Sequence, residues 1–481
     1  MSGAVNHWQP EGDFISRSGA ALNDHQLRRA LDRASSGFVD KREAAVSGVG
    51  NFEAMRERAR QVRAKSLADL NLYLRHFESQ VQAAGGQVHW AETAQDMRDI
   101  VVDLCRSRNA RLATKSKSMI SEEVDLNAAL KSAGIEPLET DLGEYILQLA
   151  GERPSHIVAP AVHKSRGDIR KLFETHHALG ERDLSEVKAI VDEARTVIRD
   201  RYLTADVGIT GANMLIAETG TAVVVTNEGN ADLTATQPPV HIVLASIEKV
   251  VPTWDDASAI LRVLGRSATG QAMTTYTSFF AGPGRQAGAE STEFHVILLD
   301  NGRSDLLDSE YREMLHCIRC GACMNHCPVY QAVGGHAYGS VYPGPMGAVL
   351  TPLLRGNRDD YQLANASTFC GRCEAVCPVK IPLPGLMRKL RNREKRQHGN
   401  KLDTRLVRLF CRLAARPRLY RRLTALGVAL LSRLSGHRGG FSRLPLLGRW
   451  TRYRDFPAPP GGTFQAQYRN SAAGARPGDK P

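Results

Sequence analysis

No apolar run in the 481-residue chain reaches the ~18 residues of a membrane-spanning helix. The longest candidate, Leu423 to Leu434, is shorter and carries Arg433. Met1 to Trp8 shows neither a basic n-region nor an apolar h-region, so no signal peptide is expected. These absences predict a cytoplasmic chain and argue against a disulfide framework. The dinucleotide fingerprint Gly-x-Gly-x-x-Gly is missing as well. Gly208-x2-Gly211 lacks its pattern, which sets aside a flavin or NAD site. No DNA-binding motif is present. Acids are scarce in one stretch: Arg388 to Arg454 holds 20 Lys or Arg against Glu394 and Asp403. That is a net of +18 in a chain whose total is +12, so the remainder is acidic. Basicity belongs to the C-terminal tail, and a search for an acidic partner or lipid surface starts there, with no nucleic acid implied.

What the chain does have is nine cysteines, seven of them in two short runs. The first is Cys317-x2-Cys320-x2-Cys323-x3-Cys327 before Pro328; the second is Cys370-x2-Cys373-x3-Cys377 before Pro378. The first has the bacterial ferredoxin spacing, in which the fourth cysteine ligates the other cluster. By that rule Cys317, Cys320, Cys323 and Cys377 hold cluster 1, and Cys327, Cys370 and Cys373 hold cluster 2. The gap after Cys373, Glu374-Ala375-Val376, contains no cysteine, and cluster 2 is one thiolate short. Three readings stay open: a [3Fe-4S] cluster, a [4Fe-4S] cluster with a non-cysteine or exogenous fourth ligand, or a distant thiolate from Cys105 or Cys411. Two [4Fe-4S] clusters, the second with an incomplete thiolate set, are the favoured reading. Glu374 is a candidate ligand, against the plainer reading of an exposed carboxylate. Zinc knuckles show paired C-x2-C units instead of a run of four ending in Cys-Pro.

Hydrophobic residues at 42% and charged residues at 24% fit a soluble globular chain of two or three domains. Residues 1–65 read as a polar, Arg-rich helical extension with little core pattern that packs on the main domain or on a partner. Residues 66–300 alternate helix and strand, which predicts an α/β domain with a parallel sheet. Its helices include Leu67 to Val81 and one capped by Thr93; its strands include Gln87 to Ala91, Arg111 to Thr114, Ile157 to Ala159 and His241 to Ala245. Met214 to Thr226 reads as a hairpin around Glu218-Thr219-Gly220. Residues 301–392 form the iron–sulfur segment, with Gly334 to Gly339 as a loop covering a cluster. Residues 393–481 are a basic helical tail with a disordered end.

Several blocks resemble the signature of the LUD domain: Gly208 to Asn213, Ala217 to Thr221, Thr226 to Asn230, Lys115 to Met119 and Pro238 to Ile242. Joined to the cysteine runs and the basic tail, they are similar to the LutB-type lactate-utilisation iron–sulfur proteins over roughly residues 60 to 460. The resemblance implies a NagB/RpiA/CoA-transferase-like α/β fold followed by a helical two-cluster ferredoxin domain. It implies action with two partner proteins in oxidising L-lactate to pyruvate, and it makes the seven-cysteine arrangement a family pattern.

Other residues divide between site and scaffold. Lys115, Ser116, Lys117 and Ser118 follow a strand, where α/β folds bind ligands, and they fit a carboxylate or phosphate as well as a solvated loop with Ser121 as helix cap. Glu218 invites comparison with a CoA-transferase glutamate, but a turn glutamate supporting Asn213 or Asn230 is preferred. His241 and His295 read as core histidines, Cys105 as a buried thiol, and Cys411 as packing against core or partner. Arg418 to Arg433 reads as an amphipathic helix for anionic lipid, at the inner membrane surface, or for an acidic subunit.

Three functions are carried forward. The first is an electron-transfer component of L-lactate oxidation, with unknown acceptor. The second is a subunit that itself binds a 2-hydroxy acid in the LUD domain near the open site of cluster 2. The third is an iron–sulfur sensor or scaffold.

Overall fold

The computed structural model describes residues 12–284, 292–398, 401–435, 439–444, 448, 451, 454–459 and 462–474. The chain forms two compact units, Met1–Glu394 and Lys395–Pro481. The expected borders after residues 65 and 300 both fall inside the first unit.

Among the described residues, ten strands build that unit's two sheets: β1 (Gln87–Ala91), β2 (Leu112–Lys115), β3 (Glu136–Glu139), β4 (Val207–Gly211), β5 (Met214–Ile216), β6 (Thr221–Thr226), β7 (Val240–Ser246), β8 (Val250–Val251), β9 (Tyr276–Phe280) and β10 (Glu293–Leu299). The larger sheet runs β1-β10-β7-β4-β2-β3, and every pairing in it is parallel. Its central strand β7 is buried at all seven positions, as a parallel strand covered on both faces must be. The smaller sheet runs β8-β5-β6-β9, with β5 and β6 forming the expected antiparallel hairpin. Gly208 lets the helix Asn230–Thr236 lie flat on β4: a Cβ there would stand 1.8 Å from the Thr234 carbonyl oxygen.

Ile157 to Ala159 is a loop, contrary to the strand expected there. Pro154 and Pro160 bracket it, and Pro160 has no N–H to give a ladder. The helix after β2 is Met119–Glu123, and its cap is Ser118, whose hydroxyl accepts from the Ser121 N–H at 3.2 Å. The N-terminal segment packs on the main domain, and more deeply than its weak core pattern suggests. Helix Phe52–Ala68 buries Phe52, Met55, Ala59, Val62, Arg63, Ser66 and Leu67. Its apolar members share one core with Tyr311, Met314, Cys320, Met346 and Cys377. Residues 14–68 are thus part of the structure that holds the cysteine segment.

From Arg303 onward the first unit is helical among its described residues, with Cys323 and Cys373 inside four-residue helices and the other cysteines of the two runs in the loops beside them. In the second unit, helices Lys401–Ala414 and Pro417–Ser435 leave Leu406, Phe410, Leu423, Leu426 and Leu430 exposed. Among the described residues no helix is long and apolar enough to cross a membrane.

Candidate iron–sulfur site and adjoining cleft

Cys317 and Cys320 come from one loop, Cys323 from the helix Ala322–Asn325 that follows it and Cys377 from a second loop, and all four line a single small cavity. Apart from Arg319, its remaining wall is apolar, including Ile157, Met314, Met346 and Leu383. Burial pushes the Cys320 thiol well above its ordinary range, and the neighbouring Cys377 adds to the shift; burial also raises Cys377, to about 11. Burial therefore favours the protonated thiols, and thiolates form here only with a cation that offsets that preference. Four convergent sulfurs without oxygen ligands suit a soft, positively charged iron–sulfide core.

Cys327, Cys370 and Cys373 make a second group. Burial raises Cys373 to about 12, with Cys327 and Cys370 as its sulfur neighbours. Burial raises the Cys327 thiol, against the pull of the Tyr330 and Val329 N–H groups and the nearby Tyr338 hydroxyl. Tyr338 lies in the 334–339 loop, so that loop does reach a cysteine. Cys370 is exposed and is pulled down chiefly by the Arg372 N–H.

The two runs share a backbone form. Arg319 and Phe369, each just before a cysteine, have φ of 58° and 55°. Gly321 and Gly371, each just after that cysteine, have φ of 75° and 80°, and each opens a four-residue helix, Ala322–Asn325 or Arg372–Ala375. Glu374, weighed above as a ligand, is exposed and falls where Met324 stands in the first run.

Buried and half-buried arginines fix these loops. Arg63 donates to the Leu315 carbonyl at 2.9 Å and the His316 carbonyl at 3.3 Å, just before Cys317, and also to the carbonyls of Val250 and Glu248. Arg56 donates to the Cys377 carbonyl at 2.7 and 2.9 Å, and Arg42 to the Val376 carbonyl at 3.0 Å. Arg319 pairs with Glu248 at 3.2 Å, and Glu248 also faces Arg303 at 3.1 Å. Burial works against the Glu248 charge, but Arg303 and Arg319 overcome it and hold the carboxyl near 2.

A cleft of about 540 Å³ opens at the carboxyl ends of β2, β3, β4 and β7. Ser116, Lys117, Ser118, Asp141, Asn213, Glu228, Lys249 and Arg319 supply its polar wall. Ile157, Arg319 and Cys320 line both this cleft and the cysteine cavity. Lys249 is buried, and burial with Arg319 beside it lowers its amine to about 8. Lys117 is held by Asp141 at 3.4 Å and the Val158 carbonyl at 2.8 Å.

Of the residues weighed above, Lys115 is fully buried and paired with Glu139 at 2.9 Å and Glu122 at 3.2 Å, so it is scaffold. Glu218 is exposed and accepts from the Trp254 N–H at 3.1 Å; it supports neither Asn213 nor Asn230. His241 and His295 are buried, as is Cys105. Cys411 is exposed in the second unit. Arg63, Lys249 and Arg319 carried no sequence signal beyond their charge, although Arg319 stands inside the first cysteine run.

Residues 74–299 match the LUD domain, 313–381 a 4Fe-4S dicluster domain, and 372–472 the C-terminal region of lactate utilisation protein B. A Bacillus mycoides (strain KBAB4) protein named lactate utilization protein B 2 is 40% identical over 474 residues, covering 98% of this chain and 99% of its own. The chain belongs to the lactate utilization protein B family. Another member, from Lysinibacillus sphaericus (strain C3-41), is 40% identical over 96% of this chain and 97% of its own. An Escherichia coli (strain K12) relative named as an electron transport protein, YkgF, is 39% identical over 96% of this chain and 97% of its own. The dicluster match gives this family member two iron–sulfur clusters.

Proposed function

We propose that this chain is the electron-transfer component of L-lactate oxidation to pyruvate, with Cys317, Cys320, Cys323 and Cys377 holding one cluster and Cys327, Cys370 and Cys373 holding the other. The observation that carries the proposal is the shared cavity of Cys317, Cys320, Cys323 and Cys377, from two segments far apart in sequence. Oxidation of lactate to pyruvate releases two electrons and two protons. The clusters supply one-electron uptake and release when bound. The chain's own residues hold their loops: Arg63 the first, Arg42 and Arg56 the second. Partners are the other lactate-utilisation subunits, in keeping with the names of its relatives, and an electron acceptor.

The test is anaerobic co-purification of the full chain with its partners, counting iron and sulfide and following cluster absorbance after L-lactate is added. Iron near eight per chain with lactate-dependent bleaching supports the proposal. Zinc in place of iron, or clusters that no lactate reduces, defeats it.

One observation favours a second reading, in which the chain itself binds the acid. The cleft meets the cysteine cavity at Cys320, and Lys249 and Arg319 stand beside that common wall. The Arg319 Nη1 is buried without a hydrogen-bond partner. This puts the ligand beside the first cysteine group, not the second. Asp141 and Glu228 on the same wall disfavour polyanions, which suits a singly charged carboxylate. Calorimetric titration of the holoprotein with pyruvate should give saturable binding that Lys249→Met weakens at least tenfold; no heat from any 2-hydroxy or 2-keto acid removes this reading.

A further inference from the structure

Lay the first cysteine run on the second with Cys320 on Cys370, Cys323 on Cys373 and Cys327 on Cys377. Pro328 then falls on Pro378, and Cys317 falls on Ser367. The backbone follows the same register: left-handed Arg319 on Phe369, left-handed Gly321 on Gly371, and helix Ala322–Asn325 on helix Arg372–Ala375. The thiolate missing from the second group is therefore the one before Cys370, and not one inside the gap after Cys373. A serine occupies its place.

We propose that the Ser367 hydroxyl oxygen is the fourth protein ligand of the second iron–sulfur cluster, completing a set with Cys327, Cys370 and Cys373. This rests on the cysteine assignment proposed above. In the first run the residue three before Cys320 is Cys317, whose side chain lines the same cavity as Cys320, Cys323 and Cys377. The repeated backbone gives Ser367 the equivalent start of its own loop, followed by the same left-handed residue before the next cysteine. Serine carries its oxygen where cysteine carries sulfur, one bond beyond Cβ, and an alkoxide is an anionic ligand for iron as a thiolate is. Ser367 is partly buried, and its oxygen accepts from the Phe369 N–H at 3.2 Å, a donor that favours a negative charge there. Arg391 donates to the Ser367 carbonyl at 3.0 Å, which fixes the residue from the outside. The rival Glu374 is exposed and stands in register with Met324, a position that supplies no thiolate in the first run.

The experiment is anaerobic purification of the full-length wild type, Ser367→Ala and Ser367→Cys, with iron and sulfide counts and Mössbauer and EPR spectra of each. In Ser367→Ala one iron per chain should be lost and a [3Fe-4S] signal should appear, with the first cluster's spectrum unchanged. In Ser367→Cys the iron count should hold and only the second cluster's spectrum should shift. If Ser367→Ala assembles no second cluster, the Ser367→Cys spectrum alone decides. A second-cluster spectrum identical to wild type in Ser367→Cys, or in an assembled Ser367→Ala, overturns the assignment and leaves water or a substrate as the fourth ligand. A wild type without iron would instead defeat the electron-transfer reading itself.

Discussion

Arg319 donates from Nη2 to Oε1 of Glu248 across 3.2 Å, and both side chains are buried. The pair ties the first cysteine run to the turn that follows the central strand. Glu248 also balances Arg303, so one carboxylate serves two buried guanidinium groups. Glu248→Ala leaves both without that partner and should destabilise the first unit by about 3–5 kcal/mol. Thermal unfolding followed by far-UV circular dichroism and by cluster absorbance should show both signals shifted to lower temperature together. An unshifted midpoint would show that the pair is dispensable.

The two cysteine groups predict separable losses. Cys320→Ser should remove or alter one cluster's EPR signal and Cys370→Ser the other's, each leaving its neighbour detectable. Cys105→Ala should keep the full iron content, because that thiol is buried in the sheet's core, away from both groups. Iodoacetamide should label Cys411 in the native protein, since it is exposed, and should leave Cys105 unmodified until unfolding.

Lysines two residues apart should behave oppositely. Lys115→Met strands the buried Glu139, whose carboxyl burial already pushes up, and should cost about 3–5 kcal/mol. Lys117 is partly exposed on the cleft, and Lys117→Met should leave the urea midpoint nearly unchanged. Equal shifts in the two variants would contradict this division.

Gly208→Ala should cost on the order of 3 kcal/mol or prevent folding, because its Cβ would strike the Thr234 carbonyl. Soluble yield and the urea midpoint read this out. Gly134→Ala makes a useful control: its added Cβ meets nothing within 4 Å, so any loss there comes from its φ of 79° alone.

His241 makes stability depend on acid. Burial first, and His295 second, lower its pKa from 6.5 to about 3. Between those values the unfolded chain binds the proton and the folded chain does not. The stabilisation is therefore full above about pH 6.5 and is lost as pH falls toward 3. His241→Asn should flatten the fall of the urea midpoint between pH 6.5 and 4 relative to wild type. Burial also lowers His295 and His89, 3.1 Å apart, and holds His156, His163 and His316 near 4, so these histidines contribute to the residual slope.

Much of the first unit could be read from local pattern. The continuous apolar run His241 to Ala245 and the Gly-bounded hairpin 214–226 became β7 and β5–β6, because strand burial on both faces leaves an unbroken apolar signature. Helix Phe52–Ala68 was legible as a helix but not as core. Its buried face includes Ala59, Arg63 and Ser66, which carry little apolar signal and are buried through close packing and carbonyl acceptors.

The site divides along the same line. Cysteine spacing is a covalent, local property, so the sequence by itself determined that two iron–sulfur clusters were to be expected and which residues could ligate them. Spacing cannot say what surrounds a loop. Only the tertiary structure decided that Arg63 braces the first loop, that Glu248 neutralises Arg303 and Arg319, and that the cleft shares its wall with Cys320. These relationships join residues up to some 250 positions apart, and burying a charge is tolerable only where such distant partners meet it.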